Sequence, residues 1–150
     1  MTRNSPQPLI LIAHGLMRIV VGFLYWTHGA QKLFGWFGGF GDGGTADLST
    51  RFGAAGIIET VSGALIVLGL FTRAAAFIAS GEMAVAYFWM HVPRGGFWPW
   101  ANGGELVAIF CFVFLFLAAA GAGAMSLDRA RVRTPPVSRP PDQSPSRVSG

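Results

Sequence analysis

Apolar residues dominate four successive stretches of the chain, 9–33, 52–71, 74–91 and 105–125, and polar or glycine-rich segments divide them. At ~1.5 Å per residue, a helix of each length crosses a hydrocarbon core of ~30 Å. The expected fold is therefore all-α, a polytopic membrane protein built as a four-transmembrane-helix bundle. The first stretch is not uniformly apolar. His14, Arg18, Tyr25, His28 and Lys32 follow one another at steps of 4, 7, 3 and 4. Those steps keep helical phase, so all five fall on one stripe. Ile10, Ala13, Met17, Val20, Leu24 and Thr27 occupy the other side, which suits lipid or a weakly polar neighbour. An arginine in mid-membrane costs roughly 3 kcal/mol on an insertion scale, so the stripe must face the bundle interior or water.

The segments between the stretches read as boundaries. Residues 33–52 interleave Phe34, Trp36, Phe37 and Phe40 with glycines, which stop a helix and let the backbone turn. Thr45 is the expected cap of the next helix, with Asp47 in its first turn. Arg73 lies in a break short enough for a tight reversal only. Residues 92–104 form a second aromatic loop rich in proline and glycine. Trp26, Trp36, Trp89, Trp98 and Trp100 suit the water–lipid boundary. Three domains of character follow: a polar start, 1–8, expected to be disordered; a membrane unit, 9–127; and an Arg/Pro/Ser-rich tail, 128–150, with almost nothing to bury and also expected to be disordered. The first stretch is read as a retained span. It is too long for a signal peptide, carries Arg18, and lacks a small-x-small cleavage site ahead of a soluble domain.

Composition agrees with the membrane reading: 52% of residues are hydrophobic and only 12% charged, against about 25% in soluble chains. The net charge of +4 does not mark a nucleic-acid binder. Of the eleven basic residues, Arg129, Arg131, Arg133, Arg139 and Arg147 sit in the tail. With Arg3 and Arg73 they outweigh Lys32, Arg51 and Arg94 on the other side, placing both termini in the cytoplasm and the chain in the cytoplasmic (inner) membrane. Cys111, alone in an apolar run, has no internal disulfide partner and reads as a small apolar filler.

That orientation assigns depths. Counted from the inner helix ends, Arg18 and Glu82 fall near one mid-membrane level and are expected to pair. His28, Lys32, Glu59 and Glu105 fall nearer the outer end, making a second, outer polar layer, and His91 lies near the same end. Arg18, Tyr25, His28, Lys32, Glu59, Glu82, His91, Asn102 and Glu105 are thus the candidate residues of an outward-opening polar pocket. Each alone could be a helix-orienting bridge; so many ionisable groups in four spans point to a ligand or proton site. No nucleophile–base arrangement, metal box or haem-attachment motif is visible. GDGG at 41–44 lacks the strand–loop–helix setting of a nucleotide site, and two histidines, His28 and His91, are thin grounds for haem ligation.

RIVVGFLYWTHGAQKLFG, GIIETVSGALIVLGLFTR, FIASGEMAVAYFWMH and NGGE together resemble the DoxX family over roughly residues 9–127. The resemblance implies a small four-helix integral protein of the cytoplasmic membrane. The family's named member is a subunit of a thiosulfate:quinone oxidoreductase, and a mycobacterial relative is linked to a membrane redox-stress complex. It also marks Arg18, His28, Gly29, Lys32, Glu59, Gly63, Glu82, Asn102 and Glu105. The leading expectation is a membrane subunit of a quinone-linked or redox-stress oxidoreductase assembly, with a quinone as candidate occupant and an oxidoreductase subunit as candidate partner. The competing expectation is a non-catalytic scaffold or small-solute transporter whose buried charges are structural. Gly- and Ala-rich helix faces allow a homo-oligomer.

Overall fold

The structure is a computed structural model that describes residues 8–132. Its elements in chain order are α1 (Pro8–Phe34), α2 (Arg51–Leu68), α3 (Thr72–Ala86), a π-helical turn (Tyr87–His91), α4 (Val92–Gly95), α5 (Pro99–Asn102), α6 (Glu105–Ala120) and α7 (Leu127–Val132). Among the described residues there is no strand, only an isolated bridge between Phe40 and Gly44. Two helices, α1 and α2, are long and apolar enough to cross a membrane, and α6 is a shorter apolar helix.

Local chemistry sets the helix ends. Thr50, not Thr45, caps α2: its hydroxyl accepts from the Gly53 amide at 3.4 Å. Asp47 instead closes its own turn, its Oδ1 accepting from the Ser49 amide at 2.8 Å and the Ser49 hydroxyl at 2.7 Å. At the other end Gly69 turns left-handed (φ 67°), its amide donating to Ile66 O and the Leu70 amide to Leu65 O. This pairing uses two otherwise orphaned carbonyls and ends α2 three residues earlier than the hydrophobic pattern alone suggests. Beyond α3 the helix continues through the π turn into α4. Pro93 explains the widening: in a regular helix its ring would press on the Trp89 carbonyl, and the turn relaxes by bonding the Val92 amide to Tyr87 O.

Glycines seven apart control the α1–α2 contact: Gly22 and Gly29 on α1, Gly56 and Gly63 on α2. A methyl group on Gly29 would overlap the Thr60 backbone, and one on Gly63 would press within 2.9 Å of the Trp26 backbone. The two backbones therefore meet where side chains are missing. On the other side of the bundle α3 and α6 pack through Ala75, Ala76, Ala79, Phe110, Phe114 and Leu117, with the Ser80 hydroxyl donating to Cys111 O at 2.9 Å. Tyr25 fills the centre, its ring 4.7 Å from that of Phe114.

The outside is apolar and part of the inside is polar. Leu16, Val20, Phe23, Ile57, Val61, Phe77, Ile109, Phe112 and Phe116 are all exposed, whereas Arg18, Glu59, Ser62, Thr72, Ser80 and Asn102 are buried. Large exposed apolar surface and buried charge are the informative departures from a water-soluble chain. Lipid is the solvent that suits such a surface.

The tail expectation needs correction at its start. Residues 127–132 form α7, and Asp128 reaches back to the start of α3, accepting from the Phe71 amide at 2.9 Å and the Thr72 amide at 3.1 Å. A carboxylate on two first-turn amides is a favourable helix N-terminal partner. Ser126 begins the element, its hydroxyl accepting from the Arg129 amide at 3.3 Å. The remainder of the expected tails, 1–7 and 133–150, lies outside the described residues; Pro8 already belongs to α1.

Candidate functional site

The polar stripe of α1 divides between the two ends of the bundle. Toward its N-terminus stands Arg18, with 0% of its surface exposed. Its Nη1 donates to Ile66 O at 2.5 Å and Val67 O at 2.6 Å, its Nε to Ala122 O at 2.9 Å, and its Nη2 to Met125 O at 2.7 Å. Ile66 and Val67 belong to the last turn of α2, where carbonyls lack helical partners and the helix dipole is negative. The planar guanidinium fork spreads five donors over three nitrogens and so can reach four carbonyls from two segments, which the three donors of a lysine, all on one nitrogen, cannot. The expected Arg18–Glu82 pair is therefore not formed. A depth measured from the start of α1 misplaces Arg18, because that helix has 27 residues against 18 in α2. Its first turns extend beside residues 122–125, where Gly15 faces the Ala124 carbonyl. Arg18 thus lies at the level of the α2–α3 turn. His14, beside Gly123 and edge-on to Phe116 at 5.6 Å, belongs to the same end.

Toward the C-terminus of α1, Tyr25, His28 and Lys32 enter a cavity of about 560 Å³. Glu59 of α2, Glu82 of α3 and His91 of the π turn line the same space. Lys32 Nζ meets both oxygens of Glu59, at 2.6 and 2.5 Å. Glu59 is 2% exposed, so this ion pair keeps a carboxylate in an almost dry setting. The Tyr25 hydroxyl donates to Glu82 Oε2 at 3.2 Å. No lysine or arginine stands within bridging distance of Glu82 among the described residues. The His28 ring packs edge-on to Phe110, with centroids 6.1 Å apart. Ile58, Ile78, Met83, Val85, Val107 and Phe110 supply apolar wall.

The π turn matters to this geometry. It carries His91 to the cavity while the ring Nδ1 stays 3.2 Å from Asn102 O. Asn102 is buried but does not line the cavity. Its amide nitrogen donates to Gly96 O at 2.8 Å, and its Oδ1 accepts from the Gly104 amide at 2.8 Å. It therefore holds the loop that precedes α6; the Tyr87 hydroxyl, bonded to Phe97 O, holds the same loop. Glu105, the first residue of α6, is exposed and stands outside the lining. Of the nine residues singled out in the sequence, six come together and Arg18, Asn102 and Glu105 do not. Two lining cations, Arg51 and Arg94, enter the sequence reading only as topology signals. Their places at the start of α2 and just past the π turn could have signalled their position, since both ends meet at the same face of the bundle.

A family model described as DoxX matches residues 13–92, a span that includes all six of the gathered residues and Arg18. A protein of Haemophilus influenzae, described as uncharacterized, is 45% identical over 96 residues, which make up 63% of this chain and 72% of that protein. No solved structure matches the chain.

Proposed function

The chain belongs to the DoxX family of membrane proteins, and from that premise we propose that it is the membrane subunit of a quinone-linked oxidoreductase assembly, its cavity receiving the quinone head group. Four spans make up the bundle in this reading: α1, α2, α3 with its π turn, and α6. Both termini lie in the cytoplasm by the balance of arginines, and the cavity lies in the outer half of the cytoplasmic membrane. Residues 9–127 are the membrane unit.

The observation that carries the reading is the grouping of Lys32–Glu59, Tyr25–Glu82 and His28 in a mostly apolar cavity whose other charged or titratable lining residues are His91, Arg51 and Arg94. At about 560 Å³ it falls within the range of small-molecule sites, roughly 300–1,000 Å³. A quinone ring needs donors at its oxygens and apolar contact at its faces. An ammonium has three protons, so Lys32 can serve Glu59 and still donate to a ligand oxygen; His28 is the second donor. Glu82, bonded by a phenol rather than a cation, is the group best placed to exchange a proton with the ligand. Electrons come from a partner oxidoreductase subunit; this chain binds, orients and handles protons.

The competing structural reading has one specific observation in its favour: Arg18 serves backbone carbonyls only. It applies to that residue and not to the cavity.

The test is extraction of the purified protein with its native lipid, followed by thermal unfolding with and without quinone analogues. Co-purified quinone and a raised unfolding temperature support the reading. Absence of both refutes it. Glu59→Gln and His28→Ala then separate roles: folded variants that no longer respond to the analogue support a binding site, whereas variants that are merely less folded support the structural alternative.

A further inference from the structure

Gly81 is a helix-interior glycine with no packing reason to be one. Gly22, Gly29, Gly56 and Gly63 each stand where a methyl group would press on the neighbouring helix, but a methyl group on Gly81 would meet nothing within 4 Å. Gly81 is also absent from the positive-φ positions, so no strained backbone requires it. Glycine in mid-helix is unfavourable relative to alanine, and at Gly81 neither close contact nor conformation offsets that. The space in front of it is part of the cavity, and its neighbour in sequence is Glu82.

The surroundings give that space a direction. Ile78, Gly81 and Val85 recur at helical spacing along one stripe of α3, Trp89 follows in the π turn, and all four are exposed. Ala54, also exposed, and Ala55 of α2 line the same cavity. Small residues of both helices thus border the cavity, and Gly81 and Ala54 do so while exposed on the exterior. Arg51 and Arg94 mark its other limit, next to the loops. The polar side chains of α1 lie inward. A molecule with an apolar tail and a flat hydrogen-bonding head fits this order of surfaces; a wholly water-soluble one has no use for the apolar gap.

We propose that the gap between α2 and α3 at Gly81 is a lateral port, through which a lipid-borne ligand slides its head group from the bilayer to Lys32, Glu59 and Glu82 while its tail rests against the bare helix backbone. Gly81 is then a specificity-determining residue for tailed ligands. The inference rests on the reading that the cavity holds a ligand, and it adds the route and the tail.

The experiment compares a decyl-substituted benzoquinone with the same benzoquinone lacking the chain, on the purified full chain in lipid nanodiscs. Gly81→Leu places a side chain in the port; leucine is a better helix former than glycine, so the helix itself is not weakened. Affinity for the decyl compound is expected to fall about tenfold or more, with the short compound changing by less than about twofold. Ala54→Leu, on α2, is expected to do the same and makes the outcome independent of how one variant folds. Unchanged decyl binding in both folded variants overturns the port and places entry at the Arg51–Arg94 end, while the cavity reading survives. Equal losses for both compounds also overturn it, since the side chains would then block the head-group site itself. Wild-type protein that binds neither compound removes the cavity reading and the port together.

Discussion

Replacing Arg18 with methionine keeps most of the side chain's volume and removes all of its donors. Four carbonyls then lose a partner: the Arg18 bond to Ile66 O is fully buried, and those to Val67, Ala122 and Met125 are partly buried. A buried acceptor left unmade costs ~1–3 kcal/mol. The upper value for the buried carbonyl and the lower for the others give about 6 kcal/mol. Removing the guanidinium also removes its own desolvation cost, which brings the expected net loss to about 3–5 kcal/mol. Arg18→Lys should recover less than half of it. An ammonium is a compact donor and cannot reach both the end of α2 and residues 122–125.

The assay is a reversible denaturant titration of the detergent-solubilised protein, read by circular dichroism. Glu82→Gln and the Arg18→Met/Glu82→Gln double variant complete a cycle. Because Arg18 contacts carbonyls and not Glu82, the coupling should be below ~0.5 kcal/mol. Arg18→Met within ~1 kcal/mol of wild type would refute the carbonyl account. Coupling well above that bound would restore the Arg18–Glu82 pair that a count of helix turns suggests.

Lys32→Met strands the almost fully buried Glu59 carboxylate and should lower stability by about 3 kcal/mol; Lys32→Met with Glu59→Gln should recover most of that in the same titration. Gly29→Leu drives a side chain into the Thr60 backbone and should cost about 3 kcal/mol, whereas Gly81→Ala, which meets open space, should stabilise by up to ~1 kcal/mol. Asp47 is held below the usual carboxylate range by the Ser49 amide first and the Ser49 hydroxyl second. A depressed folded-state pKa means that its contribution is present above the ordinary value of ~3.9 and is lost as pH falls through the lower folded value. Protection of the Ser49 amide relative to its intrinsic exchange rate should therefore persist at neutral pH and be lost below about pH 4, and Asp47→Asn should abolish that acid step.

Element type was readable because the apolar stretches are long and the polar stripe of α1 holds helical phase over five residues. The ends were less readable. The end of α2 is set by Gly69 and two capping bonds, information carried by one residue rather than by a period. The extension of the third helix past His91 depends on how a chain relieves Pro93, which periodicity ignores. The grouping of Tyr25, His28 and Lys32 with Glu59 follows from spacing and antiparallel neighbours, so it could be anticipated. The partner of Arg18 could not. Side-chain patterns name other side chains as partners, whereas the groups that receive Arg18 are carbonyls, which every residue has. Asp128 is hard to recognise for a related reason: its target is a pair of amides, and the arginines and prolines around it set the local composition.

Buried ionisable groups at the two ends differ in how fully their hydrogen-bonding capacity is used. Arg18 spends four of its five donors on carbonyls that cannot move without unwinding α2 or the segment after α6, and it is fully buried outside the cavity lining, so it has no ligand space to face. The cavity residues bind one another through side chains that can turn. Lys32 retains a proton beyond its two contacts with Glu59, and Glu82 accepts one phenol where a carboxylate has about four lone-pair sites. A membrane-buried group with capacity to spare is costly unless something completes it. That difference, rather than charge alone, supports the proposed division in which Arg18 holds the fold and Lys32, Glu59 and Glu82 receive a guest. It also sets a condition on the guest: it must present both acceptors and a donor within one small head group, as a quinone and its reduced form do in turn.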